Sequence, residues 1–304
     1  MKKTLITIVG PTAIGKTSFG IFLAKHYNTE IISADSRQFY KEMSIGTAVP
    51  SKEELKLVKH HFIQHKSVKD FYSVGDFERD CLLVLDSIFT KHDLAIMVGG
   101  SGLYVNAILN GLNNFPEIDK KIREDLNKQY EKEGLEPLQI QLKVLDPVYY
   151  AKVDLQNPQR LIRALEICLG TGRSFSSFLV PQKSKRSFNS IVIGITASRD
   201  TIYKRINARV DEMISAGLLS EVESLLPHKS LNALQTVGYK EIFQYLNKTL
   251  DWDVAVEEIK KNTRRFAKRQ LTWFKKDQNC IWFDYDTPLT DIIDVIDLNL
   301  IAEN

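Results

Sequence analysis

Residues 10–17 limit the folds open to this chain more than any other stretch. Gly10-Pro11-Thr12-Ala13-Ile14-Gly15-Lys16-Thr17 follows a β-branched apolar run, Thr4 to Val9, and precedes a stretch of helix formers, Thr17 to His26. The octapeptide matches GxxxxGK[ST], in which glycines let a strand-to-helix loop close with its N–H groups pointing inward. The helix N-terminus, the Lys16 ammonium and the Thr17 hydroxyl then favour a diphosphate or larger anion, with Mg²⁺ held by the hydroxyl. A strand must feed such a loop and a helix must leave it, so the motif predicts the first β-loop-α unit outright.

The pattern around the motif extends that unit into a sheet. Ile31 to Ala34 and Leu94 to Val98 are further short strand candidates, the latter running into Gly99-Gly100-Ser101-Gly102. Strands alternating with helical patterns indicate parallel pairing through crossovers. In such sheets ligands gather at the strand carboxyl ends, so residues 10–17, 35–40 and 99–104 are expected to line one crevice. From about Gly111 to Lys185 the strand runs stop and helical segments are punctuated by Pro116, Pro137, Pro147, Pro158 and Pro181. There Asn157-Pro158 predicts the start of a helix over 159–169, with Gly170 and Gly172 as its stop. Ser190 to Thr196 returns to strand character, and helical patterns run through Ile202 to Leu226 and Val254 to Lys276. The expected fold is α/β: a P-loop NTPase-like parallel sheet core from 1–111 and 188–304, with a helical insertion domain at 112–187.

Composition narrows the class. With 304 residues, 43% hydrophobic and 26% charged, the chain is neither disordered nor a disulfide scaffold. No apolar run approaches the ~20 residues of a membrane span. Cys81, Cys168 and Cys280 form no CxxC pair, and a reducing cytoplasm fits them. The net charge of +3 hides a local asymmetry. Lys260, Lys261, Arg264, Arg265, Lys268, Arg269, Lys275 and Lys276 project onto one half of a helix, and Ile259, Phe266, Trp273 and Phe274 onto the other. Taken alone this reads as a solvated helix face, with a surface for nucleic acid as the alternative. Trp252, Trp273 and Trp282 read as core or interface residues. His60, His61 and His65 read as packing or hydrogen-bonding groups, because two ligands at i, i+4 do not complete a zinc site.

A nucleotide kinase or triphosphatase needs a carboxylate at the end of a later strand to help hold Mg²⁺. Residues 94–98 lead into glycines instead, and the first carboxylate presented to the same edge is Asp35, followed by Ser36, Arg37, Gln38 and Tyr40. A carboxylate flanked by hydroxyl and amide groups suits proton acceptance from a hydrogen-bonded substrate; a turn aspartate is the alternative. A P-loop small-molecule or nucleotide kinase, and an RNA-binding protein with a nucleotide-gated switch, remain open readings at this point.

The ordered motifs resemble those of the tRNA dimethylallyltransferases over nearly the whole chain. The resemblance rests on residues 10–17, Asp35-Ser-Arg-Gln-Phe-Tyr40, Gly46-Thr47-Ala48, Val98-Gly-Gly-Ser-Gly-Leu-Tyr104 and Asn157-Pro-Gln-Arg-Leu-Ile-Arg163. It continues in Val237-Gly-Tyr-Lys-Glu241 and Asn262-Thr-Arg-Arg-Phe-Ala-Lys-Arg-Gln270. Ile14 stands where serine is common, Val49 where lysine is, and Ser101 where threonine is. The resemblance implies that the loop holds dimethylallyl diphosphate and that the acceptor is N6 of the adenosine 3′ to the tRNA anticodon. It makes Asp35 the base, with Lys16, Thr17 carrying Mg²⁺, and Arg205 stabilising the departing diphosphate. Asp35, Ser36, Arg37 and Gln38 are implied to hold the flipped adenosine. Ser101, Arg123, Gln159, Arg160, Leu161, Ile162 and Arg163 are implied to meet tRNA. A monomer is expected.

Overall fold

In the computed structural model, which describes residues 2–179 and 185–302, the chain divides into two compact units, 1–109 with 185–304, and 110–184. In chain order, the first unit opens with β1 (Thr4–Val9), α1 (Lys16–His26), β2 (Ile31–Ser33), α2 (Lys52–Leu57), β3 (His60–His61), α3 (Val74–Phe89), β4 (Leu94–Val98) and α4 (Gly102–Asn110). The second unit holds α5 (Lys120–Glu133), α6 (Glu136–Leu145), α7 (Pro147–Tyr150) and α8 (Pro158–Thr171). The first unit resumes with β5 (Asn189–Thr196), α9 (Arg199–Ser215), α10 (Leu218–Ser224), α11 (Tyr239–Leu246), α12 (Trp252–Phe274), β6 (Ile281–Asp284) and α13 (Leu289–Ala302).

All strand pairs are parallel, in the order β3-β2-β4-β1-β5-β6. β1 is buried along its whole length between β4 and β5, as its unbroken apolar and β-branched sequence requires of a strand covered on both faces. Chain direction from β1 runs outward to β2, and from β4 it crosses to β5. The loop after β1 therefore lies at the point where strand order reverses, where an open α/β sheet binds its ligand. Two buried clusters flank the sheet. One packs Phe39, Phe77, Leu85 and Tyr239; the other packs Leu23, Ile202, Ile206 and Ile296.

The helical unit has its own core of Leu126, Leu138, Leu142, Leu161 and Leu165. Asn157 caps α8 by accepting from the Arg160 N–H at 3.2 Å, with Pro158 as the first helical residue. Leu161 is fully buried and Ile162 nearly so, facing this core because the α8 apolar stripe points inward. Their side chains pack within this core.

Two element boundaries and the burial of one helix face differ from the sequence reading. Gly170 lies inside α8, and it is Gly172, at φ 68° in the left-handed region, that ends it. The helical pattern over 202–226 resolves into two helices, because Gly217 at φ 97° turns the chain between α9 and α10. On α12, Ile259 and Phe274 are buried, but Phe266 and Trp273 are 38% and 43% exposed. They sit at the edge of the stripe, whose centre is filled by Ala255, Ala267 and Gln270. Pro181 lies outside the described residues.

Candidate active site

The loop between β1 and α1 lines a cavity along much of its length. Pro11, Ala13 and Ile14 are buried, while Thr12, Gly15, Lys16 and Thr17 line a cavity of about 620 Å³. Ala13 adopts φ 65°, a strained backbone for a residue with a Cβ. Arg205 of α9 donates from Nε to the Ala13 carbonyl at 2.7 Å, and its guanidinium lies over the Tyr285 ring. Gln270 of α12 accepts from the Thr12 N–H at 2.8 Å and donates to the Gly100 carbonyl at 2.9 Å. The loop after β1 and the loop after β4 are thus joined by one buried amide, the last residue of the motif at 262–270.

Lys16 Nζ donates to the Pro11 carbonyl at 2.7 Å. Burial pulls this ammonium from the ordinary lysine range down to about 8; Asp35 opposes that, and Arg209 adds to it. Arg209, one helical turn beyond Arg205 on α9, lines the same cavity and makes no hydrogen bond or ion pair with a described residue. Burial lowers its pKa too, with Glu212 opposing. Lys16 and Arg209 thus stand as two desolvated cations in one cavity, with the carboxylates of Asp35, Glu54 and Glu212 also on its lining. Arg209 was missed by sequence reasoning, although the i, i+4 spacing from Arg205 places both on one helix face.

Asp35 follows β2 and accepts from the Arg37 N–H at 2.9 Å, an Asx-type turn that fixes its carboxylate. Turn aspartate and site residue are therefore the same group. Asp35, Thr12, Ala13, Thr47, Ala48 and Arg209 border both the large cavity and a second one of about 240 Å³. Ser36, Arg37, Ser101 and Phe266 line the second. Ser101 Oγ accepts from the Ser36 N–H at 3.0 Å and lies 3.1 Å from Ser36 Oγ, so the loops after β2 and β4 are held together there. Gln38 is already engaged: its Oε1 is 3.1 Å from Ser33 Oγ, and its Nε2 donates to the Thr47 and Ala48 carbonyls. Its amide thus ties β2 to the loop that carries Thr47 and Ala48.

The remaining candidates fall elsewhere. Arg123 and Arg163 in the helical unit share the buried Glu166 carboxylate at 3.5 and 2.8 Å, and Arg163 also covers the Phe115 ring. Gln159 and Arg160 are exposed. On α12, Lys260 pairs with Asp211 and Glu257, Lys261 with Glu258, and Arg264 donates to Asn207. Lys276 lies over Trp273, which itself covers Gly102, so Trp273 is a surface aromatic and not core. His61 pairs with Glu30 at 2.6 Å, His60 Nδ1 lies 2.8 Å from the Val58 carbonyl, and His65 packs among Phe39, Phe62 and Tyr72. All three cysteines are free and buried, and no helix among the described residues is long and apolar enough to cross a membrane.

A parallel sheet feeding a phosphate loop, with no carboxylate after β4 and an aspartate at the junction of two cavities, defines a P-loop-type α/β enzyme. The chain belongs to the IPP transferase family, whose model matches residues 38–277. It is 58% identical to a tRNA dimethylallyltransferase of Christiangramia forsetii, the alignment covering 98% of each chain. It is 56% identical to that of Flavobacterium johnsoniae, again over 98% of each. Among solved structures, the full-length tRNA isopentenylpyrophosphate transferase of Bacillus halodurans superposes with TM-score 0.72 at 38% identity, over 99% of this chain and 96% of that one. A eukaryotic dimethylallyltransferase acting on tRNA superposes with TM-score 0.82 at 26% identity, over 99% of this chain and 80% of that one.

Proposed function

We propose that this protein transfers a dimethylallyl group from dimethylallyl diphosphate to N6 of the adenosine 3′ to the anticodon in tRNA, giving N6-dimethylallyladenosine and diphosphate. The observation that carries the reading is the position of Asp35, which borders both cavities while Lys16 and Arg209 stand in the larger one. The diphosphate occupies the loop at 10–17, held by its backbone N–H groups, Lys16 and Arg209. Arg205 acts one step back, by fixing the strained Ala13 carbonyl. The adenine enters the smaller cavity beside Ser36, Arg37, Ser101 and Phe266, extruded from the anticodon stack. N6 attacks C1 of the dimethylallyl group, the C1–O bond breaks with its electron pair leaving on diphosphate, and Asp35 accepts the N6 proton. Charge grows on the leaving oxygens, where fixed cations lower the barrier most.

Mg²⁺ fits this site through the Thr17 hydroxyl, which lines the cavity beside Lys16. Among the described residues no group of three or more His, Cys, Asp or Glu side chains is placed to hold a metal. That donor set suits an ion bound mainly through substrate oxygens and water, and when bound it neutralises charge on the diphosphate. Arg123, Gln159 and Arg160 offer polar surface to tRNA in the helical unit, and the unpaired part of the α12 basic face does so in the core. Three buried free thiols support a reducing cytoplasm.

The test is direct. Unmodified tRNA and Mg²⁺ are incubated with the protein and either labelled dimethylallyl diphosphate or labelled ATP. Prenyl label in RNA is the expected result. Hydrolysis or transfer from ATP, with no prenyl label in RNA, returns the site to the kinase reading.

A further inference from the structure

The wall between the two cavities is a short loop, 44–48, and it is held from both sides. Ser44 and Ile45 border the large cavity, Gly46 the small one, and Thr47 and Ala48 both. Gln38 grips the Thr47 and Ala48 carbonyls from the β2 side. From the other side Glu221 of α10, 177 residues away from Ser44, takes three successive backbone amides. Its Oε2 accepts from Ser44 at 2.9 Å and Ile45 at 2.7 Å, and its Oε1 accepts from Gly46 at 3.0 Å. The Tyr239 hydroxyl donates to the same Oε1 at 2.6 Å. Burial and the neighbouring Glu221 carboxylate push the Tyr239 pKa well up, so this hydroxyl stays a donor.

One carboxylate with four converging donors leaves this backbone little freedom, since charge-assisted bonds are the strong ones. Sterics reinforce it. A Cβ on Gly46 would come 2.5 Å from the Tyr239 ring, which is fully buried and has no room to withdraw. Neither Glu221 nor Tyr239 borders either cavity, and the contact Glu221 makes with their lining is through the amides of 44–46.

We propose that Glu221, completed by Tyr239, is a positioning residue for group transfer: it sets the loop at 44–48 as the septum that aligns donor and acceptor cavities at Asp35. This rests on the prenyl-transfer reading above. The diphosphate is held by residues 10–17, Lys16 and Arg209, none of which touches Glu221, so loosening the septum is expected to spare donor binding and slow the reaction.

The experiment compares wild type with E221Q, Y239F and G46A. E221Q keeps shape but turns an acceptor into a donor facing an N–H group; G46A displaces the loop without touching the carboxylate. Three quantities are read: kcat and KM for labelled dimethylallyl diphosphate with tRNA, affinity for inorganic pyrophosphate, and amide hydrogen exchange at 44–46. For E221Q and G46A, kcat is expected to fall roughly 10- to 100-fold, the order produced by misplacing reactants by about an ångström. Y239F, which removes one of four donors, is expected to fall less. Pyrophosphate affinity and donor KM stay within about threefold, because uniform binding is left intact. Exchange at 44–46 accelerates in E221Q while the β1 amides stay protected. Wild-type kcat in both E221Q and G46A overturns the proposal, as does a loss of pyrophosphate binding equal to the loss of kcat, which marks general collapse. A wild-type protein that moves no prenyl label overturns the prenyl-transfer reading itself, a result distinct from a wild type and E221Q that transfer equally well.

Discussion

Arg209 in the sheet unit and Arg163 in the helical unit are the same residue type on amphipathic helices, and their surroundings are opposite. Arg209 is desolvated, lies near Lys16 and has no hydrogen-bonded or ion-paired partner among the described residues. Arg163 gives its charge to the buried Glu166 at 2.8 Å and its plane to Phe115. A buried cation left without a counter-charge is costly unless a ligand supplies one, whereas a cation that completes a buried carboxylate is already satisfied. The first arrangement leaves a guanidinium facing the cavity, with Glu212 and Glu54 opposing the fall of its pKa; the second is part of the packing. The same contrast divides the carboxylates, since Asp35 borders two cavities while Glu166 is enclosed between arginines.

The contrast breaks first at Asp35. Asp35→Asn keeps the acceptor used by the Arg37 N–H and removes only the basic oxygen, so single-turnover transfer is expected to fall by about 10² to 10⁴ with donor affinity nearly unchanged. Single-turnover rates within about tenfold of wild type would remove the base assignment. Next comes the arginine pair. Arg209→Ala should cost on the order of 10² in kcat/KM for the prenyl donor, as loss of one preorganised charge does. Arg163→Ala should leave donor kinetics alone and lower unfolding stability by on the order of 1 kcal/mol, because Glu166 keeps Arg123 and Arg163 is partly solvated. Equal kinetic defects in the two variants, read side by side with denaturant melts, would erase the distinction.

A smaller effect follows from Lys16. Its pKa falls from the ordinary lysine value of 10.5 to about 8 in the free folded protein. Between those values the unfolded chain binds more protons than the folded one, so stability rises with pH from about 8 to about 10.5. A bound diphosphate restores the proton, so pyrophosphate affinity is expected to fall by up to roughly tenfold per pH unit above about 8. Calorimetry at pH 9 in two buffers of different ionisation enthalpy should show proton uptake, and none in Lys16→Arg. The smallest effect concerns the exposed Arg160. Arg160→Ala should lower the slope of log tRNA affinity against log salt by slightly under one, roughly one phosphate contact, while Arg163→Ala leaves it unchanged. Parallel lines for Arg160→Ala and wild type would return Arg160 to ordinary solvated surface.

By itself the sequence determined the parts whose physics is local. Residues 10–17 required a strand before and a helix after them, and β1 and α1 follow. The uninterrupted apolar runs at 94–98 and 190–196 announced buried parallel strands. Asn157-Pro158 announced the start of α8, because capping needs only neighbouring residues. The strands at the two sheet edges were silent: β3 is two residues long and β6 four, too short for a periodic signal, and both exist because a neighbouring strand offers its open edge. The divided helix at Gly217 and the exposed Phe266 and Trp273 were equally out of reach, since a helical wheel locates a stripe but not the partner that covers its margin. Only the tertiary structure decided which cations are spent on carboxylates and which stand free. It alone placed Arg209 beside Lys16, joined Gln270 to Thr12, and brought Glu221 to the amides of 44–46. Those contacts are set by how α9, α10 and α12 lie against the sheet, and nothing within a few residues of either partner encodes them.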